Sequence, residues 1–100
     1  MTNQQPARPL VGDGTPPVIT LVRSAACHLC DEAHETLSRR ALDREFTYEV
    51  HPATSSVGQE LLARHCPAMF PMVLVDGAYF SAGRLPVRKL DRLLAERGAA

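Results

Sequence analysis

The sequence has no long block of charge of either sign, and this limits the partners that the chain can have. Its eleven basic and eleven acidic residues give a formal net charge of zero at neutral pH. Proteins that bind nucleic acid or an anionic membrane usually carry a marked excess of basic residues. We therefore expect neither a nucleic-acid partner nor a membrane surface as partner.

Long apolar runs are missing as well. No stretch approaches the roughly 20 apolar residues that a helix needs to cross a bilayer. The opening residues, MTNQQPARPLVGDGTPP, have neither the basic segment nor the apolar segment of a secretory leader. We therefore expect a cytoplasmic protein.

Cysteine is scarce, with three residues in the chain of 100. An odd number of cysteines in a reducing compartment disfavours a framework of permanent disulfides. Hydrophobic residues make up 45% of the chain, which is enough for one domain to form a core without such cross-links. The cysteines therefore point to redox chemistry or metal binding.

The first residues differ in composition from the rest of the chain. Residues 1–16 contain three prolines and two glycines and show no hydrophobic period. Such a segment buries too little apolar surface to offset the entropy lost on ordering. We predict a flexible tail over residues 1–16 and a single domain, without internal repeats, over residues 17–97.

Strand and helix patterns alternate through the first half of this domain. The run VITLV, Val18–Val22, is apolar and β-branched, which is typical of a central strand covered on both faces. Apolar residues then recur at a helical spacing from about Cys27 to about Leu42. The alternating stretch FTYEV, Phe46–Val50, predicts a second strand nearer an edge. A short helix follows in SSVGQELLARHC, where a serine supplies the cap and Gly58 weakens the prediction.

The second half of the domain predicts a hairpin and a last helix. In MVLVDGAYF the pair Asp76-Gly77 supplies the positive φ angles of a two-residue turn. The last helix has Pro86 near its first turn and Gly98 just past its end. Its apolar face comprises Val87, Leu90, Leu93 and Leu94. This order predicts an α/β fold in which the first two strands are parallel and the hairpin is antiparallel.

Two cysteines stand three residues apart in CHLC, where the first strand gives way to the first helix. Cys27 falls near the helix N-terminus, where free amide groups and the helix dipole favour a thiolate, so we expect it to be the nucleophile. Cys30 lies one turn further on, roughly 5 to 6 Å away, and would resolve a mixed disulfide. His28, when charged, would stabilise the thiolate further, whereas Asp31 and Glu32 oppose this effect.

The cysteine pair is also compatible with two roles that involve no disulfide exchange. The two residues could be reduced thiols without a function. They could also bind zinc, with further ligands drawn from Cys66, His65, His34 or His28, although no second C-x-x-C fixes such a site. Cys66 itself is either a small apolar side chain or a partner in an alternative disulfide.

The element order, with CHLCDEA and FPMVLVDG at their places in it, resembles the glutaredoxin family, and in particular small bacterial glutaredoxin-like proteins. The resemblance runs from about Val18 to about Ala95. It implies a thioredoxin-like fold of three layers, with a four-stranded mixed sheet built from βαβ and ββα units. It also implies a cis peptide bond between Phe70 and Pro71, with Pro71 against the dithiol. The backbone of Phe70 would then be free to pair with an extended substrate.

Two short stretches differ from the family pattern. Glutathione-using relatives usually have Thr-Val before the proline and a Gly-Gly turn with a following Asp after the hairpin, whereas this chain has MFP and SAGRLP. Both departures argue against glutathione recognition of the family type, and glutathione is kept only as a candidate reductant or ligand. Arg84, in SAGRLP, is a candidate to bind a carboxylate, because a guanidinium group can do so with two hydrogen bonds.

Together these features predict a thiol–disulfide oxidoreductase that reduces disulfides or glutathione mixed disulfides. The expected partners are protein or small-molecule disulfides, the expected state is a monomer, and the chemistry requires no metal or organic cofactor. A redox-silent interaction module on the same fold and a metal or iron–sulfur protein are the alternatives. The predicted catalytic residues are Cys27 and Cys30, and the predicted substrate-binding residues are His28, Phe70, Pro71 and Arg84.

Overall fold

The computed structural model describes residues 16–43 and 46–99, and its element order is the one that the sequence predicts. The helices and strands are β1 (Val18–Arg23), α1 (His28–Asp43), β2 (Thr47–Pro52), α2 (Ser56–His65), β3 (Met72–Val75), β4 (Ala78–Ala82) and α3 (Val87–Leu94). Apart from Pro16, the tail predicted over residues 1–16 lies outside the described residues.

The start of β2 and the end of the last helix differ from the predicted boundaries. β2 begins at Thr47, whose N–H donates to the carbonyl of Pro17 at 2.9 Å, while Phe46 precedes the strand with its side chain buried. At the other end of the chain, α3 continues into a π-helical turn, Ala95–Ala99, so Gly98 does not lie past the helical segment. In this turn Arg97 forms a 2.6 Å ion pair with Asp76, which holds the segment against the β3–β4 hairpin.

The four strands form one mixed sheet in the order β2-β1-β3-β4. β1 and β2 are parallel and are joined through α1, whereas β1 pairs with β3 and β3 with β4 in antiparallel fashion. Asp76 and Gly77 form the two-residue turn of the hairpin with φ angles of 52° and 83°. The predicted four-stranded mixed sheet, with β2 at an edge, is confirmed.

The side chains of β1 alternate between two cores, because successive residues of a strand point to opposite faces. Ile19 and Leu21 are fully buried on the face covered by α1 and α3, where Leu37 and Leu90 pack against them. Val22 faces the other way, into a smaller cluster with partly buried residues of α2. The fold is therefore a sheet between two helical layers.

α2 approaches the end of β2 closely at one glycine. Gly58 is buried, and a Cβ atom built on it would lie 2.1 Å from the carbonyl oxygen of Pro52. The N–H of Gly58 donates to the side chain of Ser55, which is the N-cap of α2. The position therefore requires a residue without a side chain, despite the helix propensity that glycine costs.

The described part of the chain contains no helix that is long and apolar enough to cross a membrane.

Candidate active site

The two cysteines of CHLC lie where β1 leads into α1, and they form a disulfide. Their Cα atoms are 5.1 Å apart, within the separation that the helical spacing predicts. Ala26, just before Cys27, has a φ angle of 52°, so the loop turns sharply before the helix begins. The sequence therefore places two thiols within covalent reach at a helix N-terminus.

Cys27 occupies the position of a helix N-cap. The N–H of Cys30 donates to the Cys27 sulfur at 3.1 Å, and the N–H of Asp31 donates to the Cys27 carbonyl oxygen at 3.1 Å. A serine or aspartate oxygen usually accepts the first of these bonds. Here a sulfur accepts it, and α1 starts at His28, one residue after the predicted start at about Cys27. The same bond and the helix dipole favour negative charge on the Cys27 sulfur.

The two cysteines differ in exposure. Cys30 is fully buried, with 0% of its surface accessible, whereas Cys27 is half-buried. Cys27 is therefore the residue of the pair that a disulfide outside the protein can approach. The attacking role predicted for Cys27 and the resolving role predicted for Cys30 stay predictions.

Pro71 lies at the same end of the central strands as the dithiol. Val22 of β1 pairs with Met72 of β3, so the residue before Met72 is level with the loop that leads to Cys27. The peptide bond between Phe70 and Pro71 is cis, the Pro71 side chain is fully buried, and Phe70 is half-buried. The carbonyl of Pro71 accepts a hydrogen bond from the N–H of Gly83 at 2.9 Å, which ties this loop to the turn after β4.

His28 and Arg84 meet at one carboxylate. Glu32 lies one turn after His28 on α1, and its two oxygens contact His28 Nε2 at 3.0 Å and Arg84 Nη1 at 3.2 Å. Glu32 is not among the substrate-binding residues predicted from the sequence. The i, i+4 spacing of His28 and Glu32 is a signal that could have indicated one of the two contacts. Arg84 lies 52 residues further along, so only the fold brings it there.

Comparison with known proteins gives the fold but no closer relationship. The sequence matches no protein-family model and no curated protein. An uncharacterised thioredoxin-like protein from Clostridium perfringens superposes with a TM-score of 0.66 at 18% identity, over 83% of this chain and 71% of that one. Thioredoxin f2 from Chlamydomonas reinhardtii superposes with a TM-score of 0.62 at 10% identity, over 90% and 88% of the two chains. The fold is thioredoxin-like. The predicted membership of the glutaredoxin family stays a prediction.

Polar residues also flank the dithiol of this thioredoxin-like fold on the side of β2. Arg23, at the end of β1, forms an ion pair with Asp31 of α1. Toward the other end of the β1–β2 pair, where Tyr48 lies beside Ile19, Tyr48 and Nδ1 of His34 form a 2.8 Å hydrogen bond, and their rings stack at 5.8 Å. Burial raises the pKa of Tyr48 to about 12, although the charge of Arg23 acts in the opposite direction. The phenol is therefore protonated throughout the neutral range.

Three of the residues named as further zinc ligands have other surroundings in the structure. Cys66 is free and exposed at the C-cap of α2, in the left-handed conformation, and its N–H donates to the carbonyl of Leu62 at 2.8 Å. His34 is engaged with Tyr48 and His28 with Glu32. Among the described residues, no group of three or more His, Cys, Asp or Glu side chains is arranged to hold a metal ion.

Proposed function

We propose that the protein is a glutaredoxin-like thiol–disulfide oxidoreductase in which Cys27 attacks the substrate and Cys30 resolves the intermediate. The observation that carries the proposal is the asymmetry of the pair. Cys27 is partly exposed and its sulfur accepts the N–H of Cys30, while Cys30 is fully buried. A thiolate at Cys27 is stabilised in the place where a substrate can reach it.

The reaction proceeds by two exchanges of sulfur partners. The Cys27 thiolate attacks one sulfur of a substrate disulfide, forming a mixed disulfide, and the other substrate sulfur leaves as a thiolate that takes up a proton. The Cys30 thiol then loses its proton and attacks the Cys27 sulfur. The substrate sulfur that was bonded to Cys27 leaves as a thiolate and takes up a proton, and Cys27 and Cys30 remain joined as a disulfide. An external thiol donor supplies two electrons and two protons and restores the dithiol.

The proposed substrate contacts come from the loop before Pro71 and from His28 and Arg84, the two side chains that contact Glu32. Phe70 lies before β3 and outside the β1–β3 ladder, so we assign its backbone to pair with an extended substrate segment. We assign His28 and Arg84 to bind anionic groups of the substrate. Both side chains are mostly exposed; Arg84 is a cation, and His28 is one when protonated. Protein or small-molecule disulfides are the proposed substrates, and glutathione is a candidate reductant or ligand.

Further parts of the proposal concern the state of the protein in the cell. We assign it to the cytoplasm as a monomer that needs neither a metal nor an organic cofactor, since thiol–disulfide exchange needs none. Cell fractionation with an antibody against the chain tests the compartment, and sedimentation tests the monomer. A predominantly periplasmic or dimeric protein would contradict these assignments without affecting the chemistry.

A redox titration tests the proposed chemistry directly. The protein is equilibrated in glutathione buffers of graded potential, its free thiols are alkylated, and the state of each cysteine is determined by mass. We expect a reversible two-electron transition of Cys27 and Cys30 that persists in a Cys66→Ser variant. If the pair never closes, or closes only through Cys66, the proposed reaction is wrong and an interaction module without redox activity takes its place.

Single cysteine variants test the two roles separately. Cys30→Ser should trap a mixed disulfide on Cys27 when the protein is treated with a substrate disulfide, because the resolving thiol is absent. Both variants are made in a Cys66→Ser background, because Cys66 is free and exposed. There Cys27→Ser should form no adduct, because Cys30 is buried. An adduct on Cys30 in the Cys27→Ser variant would reverse the assignment.

A further inference from the structure

Glu32 holds a position that the proposed reaction does not use. Its carboxylate lies between His28 and Arg84, with one oxygen 3.0 Å from His28 Nε2 and the other 3.2 Å from Arg84 Nη1. The side chains of His28 and Arg84 are 87% and 75% exposed, and that of Glu32 is 46% exposed. A carboxylate supplied by the protein itself therefore occupies the two groups to which a substrate anion would bind.

The geometry leaves room for a second carboxylate at Arg84. A guanidinium group presents five N–H donors in a planar fork, and the bond to Glu32 uses one of them. A cleft of about 160 Å³ lies beside the pair, with Leu29, Leu85 and Val87 among its walls. A short aliphatic substrate with an acidic end could therefore place its chain in the cleft and its carboxylate on Arg84.

We propose that Glu32 sets the charge selectivity of the dithiol by masking Arg84 and His28 from carboxylate-bearing disulfides. This inference rests on the proposed oxidoreductase function and adds the class of substrate that the site disfavours. A carboxylate gains the full contact with Arg84 only by displacing Glu32. Because ion pairs between exposed side chains are weak, such displacement is feasible, and the mask lowers the rate without blocking the site.

The charge balance of the cluster gives the direction of the effect. Arg84 contributes one positive charge and Glu32 one negative charge, so the cluster is neutral when His28 is neutral. Replacing Glu32 by glutamine leaves a charge of plus one beside the helix that carries the dithiol. An approaching anion is then attracted and an approaching cation repelled, which changes association rates more than the chemical step.

Three disulfides of similar size and different charge provide the test. Reduced protein is mixed with 3,3′-dithiodipropionate, which is anionic, with 2-hydroxyethyl disulfide, which is neutral, or with cystamine, which is cationic. The second-order rate constant for oxidation of the dithiol is measured by acid quench, alkylation and mass. The ratio of the anionic to the cationic rate constant cancels effects of a substitution on the reactivity of Cys27 itself.

We expect Glu32→Gln to raise this ratio about two- to fivefold at low salt, as the strength of exposed ion pairs implies. The increase should disappear in about 0.5 M salt, where exposed charges are screened. Arg84→Gln should lower the ratio. Glu35→Gln is the matched control, because Glu35 lies on the same helix but pairs with Arg39, and it should leave the ratio within its experimental error.

Two results overturn the inference, and they are distinguishable from failure of the proposed function. If Glu32→Gln leaves the ratio unchanged, or changes it no more than Glu35→Gln, Glu32 does not set the selectivity. If none of the three disulfides oxidises the dithiol of the unmodified protein, the oxidoreductase proposal fails first and the inference fails with it.

Discussion

Replacing Gly58 by alanine tests whether the contact between α2 and β2 governs stability at this position. The added Cβ would lie 2.1 Å from the carbonyl oxygen of Pro52 and 3.0 Å from the side-chain oxygen of Ser55. Both neighbours are hard to move. The Pro52 carbonyl accepts bonds from Ser55, at 3.0 Å from its N–H and 2.8 Å from its hydroxyl, and the Ser55 hydroxyl in turn caps the helix.

The expected change in the free energy of unfolding is the sum of opposing effects. Forcing an extra methyl group into packed structure costs about 1–3 kcal/mol. Loss of the Ser55 cap costs about 1 kcal/mol more. Alanine is the better helix former by about 1 kcal/mol, which offsets part of this loss. The net expectation is a destabilisation of about 1–3 kcal/mol, which lowers Tm by at least about 4 °C in a domain of this size.

Equilibrium unfolding in urea, followed by circular dichroism, measures this difference. The matched control is Gly77→Asn in the hairpin turn, where φ is +83° and no atom lies within 4 Å of the added Cβ. Asparagine tolerates this conformation, so the control should change stability by less than about 1 kcal/mol. Helix propensity alone predicts that Gly58→Ala stabilises the protein. A variant more stable than the parent would therefore refute the steric argument.

Two further predictions concern Tyr48 on β2 and Gly83 after β4. The folded pKa of Tyr48 is about 12 and its unfolded value is 10.0, so its contribution to stability is complete below pH 10 and is lost as pH rises toward 12. Between about pH 9 and 11.5, the free energy of unfolding should therefore decline less steeply with pH in Tyr48→Phe than in the parent protein. An unchanged decline would contradict the pKa shift. Gly83→Ala should destabilise the protein by about 1–2 kcal/mol, because φ is +87° and the Cβ would lie 2.8 Å from the Met69 sulfur. Adding Met69→Ala should recover the steric part of this loss in thermal unfolding, and no recovery would show that backbone strain accounts for all of it.

Elements specified by neighbouring residues could be predicted from the sequence. The run VITLV needs only its own composition to indicate a buried central strand, and it forms β1 with the predicted burial on both faces. Asp76-Gly77 likewise fixes the hairpin, since the positive φ angles depend on those two residues. The start of α1 is predicted within one residue, because the cysteine pair and the helical period coincide there.

Features that depend on distant residues could not be predicted in the same way. Gly58 reads locally as a weakness in a helix, and only the approach of Pro52 shows why a side chain is excluded. Phe46 continues the alternating pattern of β2, but the ladder starts at Thr47 because Pro17 supplies the first acceptor there. The cluster at Glu32 needs Arg84 from the loop after β4, and helical spacing alone indicates no more than the His28 contact.

The ion pair between Asp76 and Arg97 determines from which end of the sheet a second protein or a label joined to this domain would extend. The Asp76 carboxylate also accepts the N–H of Val18 at 2.8 Å, so the first strand and the last helical turn are fastened at one pole of the sheet. β1 runs from that pole to the dithiol over six residues, or about 17 Å. A fusion partner, fluorophore or electrode linker joined directly before Val18 or after Arg97 would therefore start at the end of the sheet remote from Cys27.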